Sequence, residues 1–213
     1  MNQVFLQPTH FMNFEHEAVQ NFARESAGGL TDPKELAVAL FKVVRDRFAY
    51  SPYDIDLSKD AMRASEILKR DSAYCNEKAI VLAACLRYHG IPARLFFGNV
   101  RNHIATEKLT QLLKTDLMAF HGCVEVWLDG KWLKATPAFN ASLCHKLGVA
   151  PLEFNGEEDA IFQQFSNDGR KFMDYVEIHG SFADMPHQQF VDELKKHYGH
   201  LIHQTENGPL KLG

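Results

Sequence analysis

The segment that most constrains this chain runs from Cys75 to Arg94, CNEKAIVLAACLRYHGIPAR. Ala79, Ile80, Val81, Leu82, Ala83, Ala84 and Leu86 leave almost no polar face at a 3.6-residue period, so residues 75–89 are expected to form a helix buried on most of its circumference. Gly90 is its C-terminal stop, and Ile91-Pro92 cannot continue it. Such a helix must be wrapped by other elements. The 213 residues, 46% of them apolar, are enough to do so without disulfides or a structural metal. That length favours one domain over residues 1–213.

The wrapping elements can be read on both sides. Phe14, Ala18, Val19 and Phe22 recur at helical spacing, and Gly28-Gly29 end that run. Thr31-Asp32-Pro33 opens a second helix, with Leu36, Leu40, Val43, Val44 and Phe48 as its apolar stripe. Tyr50–Asp54 breaks it, and residues 61–69 read as a short helix with Met62, Ile67 and Leu68 inward. Residues 93–100 read as a strand and 104–115 as a short helix.

Asp129-Gly130 between HGCVEVWL and KWLKATPA is a strong hairpin signal. A two-residue turn there sets Leu128 opposite Lys131 and His121 opposite Ala138. Beyond it, 141–148 reads as a helical turn, Asn155-Gly156 as a turn and 171–179 as a strand. Pro186 opens a last helix carrying Phe190, Val191, Leu194 and Tyr198, and the tail 205–213 reads as disordered. Helices followed by antiparallel strands give an α+β class.

Cys75 is the reactive candidate. At a helix start it meets unpaired N–H groups and the positive end of the dipole, which favour thiolate. Cys85 lies mid-helix among alanines and reads as core. A thiol nucleophile needs a base, and His121 opens the long hairpin strand. By alternation His121, Cys123, Thr136 and Ala138 share one face, with Asn140 following, so the face carries a His and a polar group able to orient it. On spacing alone a structural His is the commoner outcome, and eleven His residues give many chance pairings.

Three segments in order resemble the transglutaminase-like superfamily. Tyr74-Cys75 with Ala83–Arg94 resembles its cysteine motif, in which the helix ends in LLRxxGIPAR. His121–Trp127 with Gly130–Pro137 resembles its HxWVEV strand, turn and WxxxDP, and Asp32–Phe48 with Tyr50 resembles the lead-in VRDxFxY. The resemblance covers residues 31–140 and is to the bacterial-type, single-domain members. It leaves 141–205 as strands and a helix particular to this chain. It implies a papain-like core: a central helix bearing the Cys, packed on an antiparallel sheet bearing the His. It also implies acyl transfer through a thioester, with Cys75 as nucleophile and His121 as base and acid.

The chain departs from the pattern at two places. The family's Asp falls on Thr136, which accepts a hydrogen bond but carries no charge, and Asn140 is the second candidate orienter. Gly122-Cys123 replaces the aromatic after the His. Two outcomes stay open: a cysteine hydrolase acting on a peptide, protein or small amide, or a degenerate binding or scaffold module. Tyr74 is the expected substrate-binding residue beside the nucleophile. Trp127, opposite Trp132, reads first as cross-strand packing and second as a substrate platform.

Other functions are poorly supported. The net charge of −4 with no basic run argues against nucleic acid and anionic membranes. Residues 1–11 lack a signal-peptide pattern, and no run approaches a membrane span, so the cytoplasm is the expected location. Neither cofactor nor metal is expected. Cys75, His121, Cys123, Cys144 and His145 lack the regular spacing of a zinc site.

Overall fold

The computed structural model describes residues 3–53, 55–103, 107–161, 173–204 and 210–212. A 3₁₀ turn, Gln3–Leu6, leads to helix α1, Glu17–Ala27, which Gly28 ends in the left-handed conformation at φ 58°. Asp32 caps α2, Pro33–Arg47, by accepting from the N–H groups of Lys34 and Glu35 at 3.0 Å. Next come β1 (Ala49–Tyr50), β2 (Ile55–Asp56), α3 (Ala64–Ile67) and β3 (Ser72–Ala73). Helix α3 is shorter than the expected 61–69. Arg63 offers no side-chain cap, and the Ala64 N–H donates to Phe11 O rather than along a helix. Met62 and Ile67 are nonetheless buried.

Strands β1 and β3 pair in parallel and deliver the chain into α4, Cys75–Tyr88, where every residue from Cys75 to Arg87 is buried. There follow β4 (Ala93–Asn102), α5 (Glu107–Leu113), β5 (Leu117–Leu128), β6 (Lys131–Ala135) and α6 (Ala141–Lys146). The chain closes with β7 (Met173–Phe182), α7 (His187–Tyr198), β8 (Ile202–Gln204) and β9 (Leu210–Leu212). Residues 104–106 and 171–172, expected to begin α5 and β7, lie outside the described residues.

The main sheet is antiparallel in the order β6-β5-β4-β7. Helix α4 packs against β5, with α1 and α2 on its other sides. Its side chains share one core with Val124, Val126, Leu95 and Leu133. This is the α+β arrangement of a cysteine-bearing central helix on an antiparallel sheet. A smaller cluster, Val100, Cys144, Val149 and Met173, lies apart from that core. The hairpin register matches the turn chemistry: Leu128 faces Lys131 and Trp127 faces Trp132, with Asp129 and Gly130 at φ 48° and 83°.

Two expectations need correction. The return strand stops at Ala135, because the Thr136 N–H turns away to donate to Ala160 O at 2.8 Å. The tail is not wholly irregular: β9 is the middle strand of a second sheet, β2-β9-β8, and Leu212 is buried in the main core. Residues 205–209 and 213 lie outside the described residues.

Candidate active site

Cys75 is the first residue of α4. The preceding Tyr74 N–H donates to Glu77 Oε2 at 3.1 Å, and Glu77 in turn pairs with Arg70 at 2.6 Å, so the helix start is braced by its own third residue. The thiol donates to Asn76 Oδ1 at 3.4 Å. The side chain is only 6% exposed. Burial pushes the thiol up to about 11, against the pull of the N–H groups of Gly122 and Asn76 that lie against the sulfur. Burial thus opposes the thiolate that the helix terminus favours. Desolvation of the charged form exceeds what the helix terminus returns.

His121 reaches this site through an irregularity in β5. Gly98 pairs with His121 and Val100 with Met118, so Asn99 alone opposes Ala119 and Phe120. Phe120 takes φ 55°, an uncommon conformation for an aromatic residue, and its N–H donates to Asn99 Oδ1 at 2.8 Å. Such a bulge re-aims the side chains that follow it. His121 is 4% exposed, and burial lowers it to about 4. Cys75 and His121 line one cavity of about 50 Å³. At neutral pH they form a thiol and a neutral imidazole.

The remaining expected residues fall in different places. Thr136 sits across from His121 on a second cavity of about 10 Å³, which also includes Ala138 and Phe139. His121 Nε2 and Thr136 Oγ1 are both enclosed, and neither completes a hydrogen bond. The Cys123 thiol, pushed up to about 12 by burial, lies beside the Thr136 side chain. Asn140 is committed elsewhere: its Oδ1 accepts from the Tyr50 N–H at 2.9 Å and its Nδ2 donates to Ser142 at 2.7 Å. It braces β1 instead of meeting the imidazole. Tyr74 lines the cavity beside Cys75, and its hydroxyl is enclosed without a partner. Trp127 does not line it. It lies six residues along β5, about 20 Å at strand rise, with its ring 5.3 Å from Trp132.

Three residues near the site were not singled out from sequence. Lys78 is fully buried, and its Nζ donates to the carbonyls of Arg45, Phe48 and Ala138 at 2.9, 2.9 and 2.7 Å. Burial lowers its ammonium to about 7. Gly122 brings β5 against the start of α4: a Cβ there would stand 2.5 Å from Asn76 Oδ1 and 2.8 Å from the Phe97 ring. Asn76 holds the Cys75 thiol. A lysine one turn into an apolar helix was a visible anomaly. Gly122 stood out only as part of the departure from the family pattern after His121, and Asn76 carries no sequence signal. Tyr50 also lines the cavity, and burial and then Cys75 raise its hydroxyl well above the ordinary value.

The cysteines and histidines weighed as a zinc set do not gather. Among the described residues one group stands close enough to hold an ion, Glu177, His179 and Glu193. Asn99 already donates to both carboxylates and meets His179 Nε2, and Lys196 and His197 pair with Glu193. The group is thus a hydrogen-bonded network around the bulge. Among the described residues no helix is long and apolar enough to cross a membrane.

Comparison with known proteins bears out the family that the sequence resembles. The family described as the transglutaminase-like superfamily matches residues 20–137. A solved structure named "Putative Cysteine Protease from Cytophaga hutchinsonii" is similar over 87% of this chain and 48% of its own, at 17% identity and TM-score 0.54. The periplasmic domain of TgpA from Pseudomonas aeruginosa is similar over 62% of this chain and 45% of its own, at 24% identity and TM-score 0.44. This chain therefore spans about half the length of these solved structures. No curated protein matches it.

Proposed function

The chain belongs to the transglutaminase-like superfamily, and from that premise we propose that it is a cysteine hydrolase that takes the acyl group of an amide or peptide onto Cys75. The observation that carries this reading is the shared cavity: Cys75 and His121 line one space, and the Gly122 N–H lies against the sulfur.

His121 lines both the Cys75 cavity and the Thr136 cavity, so one ring nitrogen can serve Cys75 while the other meets Thr136. The sulfur attacks the substrate carbonyl as its proton passes to His121. The N–H groups around the sulfur supply donors for the oxyanion. The C–N bond breaks, the amine leaves with the proton from His121, and a thioester remains. Water, deprotonated by His121, then releases the carboxylate and restores the thiol. Because both groups rest uncharged, His121 acts as base during attack and not through a standing ion pair. Hydrolysis is preferred to transamidation, since among the described residues nothing around Cys75 marks a second channel for an amine. We place the chemistry in the cytoplasm, where thiols stay reduced, consistent with four cysteines that form no disulfide. We read the chain as one domain, because the core joins residues from Phe11 to Leu212.

A second reading, a binding module without turnover, draws on Thr136 standing where the family has a carboxylate. Intact-mass analysis separates the two. Incubation with small amides and peptides should leave an acyl adduct on Cys75, absent from Cys75→Ala and slowed in His121→Ala. If no substrate gives an adduct or product above the Cys75→Ala background, the hydrolase reading is lost.

A further inference from the structure

The cavity beside Cys75 is small and carries no charge. Its volume is about 50 Å³, and among the described residues no Asp, Glu, Lys or Arg lines it. Its polar groups belong to the chemistry or are already used. The Tyr198 hydroxyl, for example, donates to Leu117 O and accepts from the Ala119 N–H, both at 2.6 Å. Its apolar lining includes residues from α5 (Leu109 and Leu113), α7 (Leu194 and Tyr198) and β9 (Leu212). Helix α7 and strand β9 lie beyond residues 20–137, the part shared with the family.

We propose that this cavity holds the acyl group of the substrate, that the group is short and uncharged, and that α7 and β9 set its length. The inference rests on the reading of Cys75 as the acyl acceptor and narrows its substrate from amides at large to amides of short aliphatic acids. An apolar cavity of roughly 150 Å³ admits benzene, so one a third as large fits roughly two to four carbons. Each methylene that fits strengthens binding by about fourfold, the ratio that corresponds to burying one CH₂. A carboxylate on the acyl chain would be buried with no cation to meet it, which costs far more than a methylene returns.

The test uses the full chain and the 4-nitroanilides of acetic, propionic, butyric, hexanoic, octanoic and succinic acids. Sγ attacks the carbonyl, 4-nitroaniline leaves with the proton from His121, and water resolves the thioester, so colour and intact mass report the two halves of the reaction. The expected result is a kcat/KM that rises to propionyl or butyryl, falls at least tenfold by octanoyl, and is at least a hundredfold lower for succinyl than for butyryl. Leu194→Ala should move the optimum toward hexanoyl. Leu212→Ala, in the last described strand, should do the same. If Cys75 is acylated but octanoyl or succinyl is preferred, or the optimum stays fixed in a folded Leu212→Ala, the inference is overturned while the hydrolase reading stands. If no anilide acylates Cys75 and the wider amide and peptide screen also fails, both are overturned.

Discussion

His121 and Thr136 line the same cavity of about 10 Å³, and neither His121 Nε2 nor Thr136 Oγ1 completes a hydrogen bond. The position that would hold a carboxylate in the family pattern here holds a hydroxyl, on the same cavity as the imidazole but not bonded to it at rest. Thr136→Asp should therefore raise His121 from about 4 toward neutrality and speed acylation of Cys75. Thr136→Val, which keeps the shape and removes the hydroxyl, should slow it by about tenfold, the worth of one hydrogen bond that is absent at rest and forms only as His121 takes up the proton. NMR titration of His121 in each variant, beside single-turnover acylation, checks both. A faster Thr136→Val enzyme would show that Thr136 does not orient the ring.

The two buried titrations fix the pH response. His121 is depressed by burial to about 4, so the unfolded state binds its proton first as pH falls. Stability is present above about pH 6.5 and is lost down to about 4. The loss amounts to ~3 kcal/mol for a shift of that size. His121→Gln should flatten this part of the stability curve, measured as urea midpoints from pH 4 to 7. Cys75, pushed up to about 11, should react with iodoacetamide more slowly than a model thiol at pH 7 and gain rate up to strongly alkaline pH. Fast labelling at pH 6 would mean that the thiol is ionised at rest.

Gly122 is where strand and helix meet most closely. A methyl group there must displace Asn76, which holds the Cys75 thiol, or the Phe97 ring. Gly122→Ala should cost ~1–3 kcal/mol from overpacking. For a chain of this size that lowers Tm by about 2–12 °C. Acylation of Cys75 should slow as well, because the displaced amide is the thiol's acceptor. Unchanged Tm and unchanged acylation would show that the contact relaxes freely.

Much of this arrangement could be read from local chemistry. The all-apolar run 79–86 demanded burial, Asp32-Pro33 and Gly28 punctuated the first two helices, and Asp129-Gly130 fixed the register that puts Trp127 against Trp132. What stayed hidden depends on contacts between distant residues. Ile55 and Leu212 are 157 positions apart and pair in strands of two and three residues, too short for any period to show. The bulge at Phe120 is set by Asn99 on the neighbouring strand. The thiol's high pKa comes from its enclosure, to which α5, α7 and β9 contribute. A helix start seen alone suggested the opposite sign. Asn140 had the right chemistry for an orienter, but the chain turns it toward Tyr50.

Lys78 ties these parts together. Three carbonyls from two segments, the end of α2 and the stretch after Thr136, converge on one buried ammonium, matching its three donors. Burial holds its pKa near 7, so above that pH the neutral amine has two protons for three acceptors. Lys78→Met keeps the length and leaves all three carbonyls without this donor, at ~3 kcal/mol or more. A fall in Tm of about 6–12 °C should follow. Ala138 is one of the three, so the segment that carries Thr136 past His121 should loosen. Amide exchange across residues 136–140 should rise in Lys78→Met while that of α1 stays slow. Exchange that rises uniformly instead would make Lys78 a general core residue with no particular hold on the site.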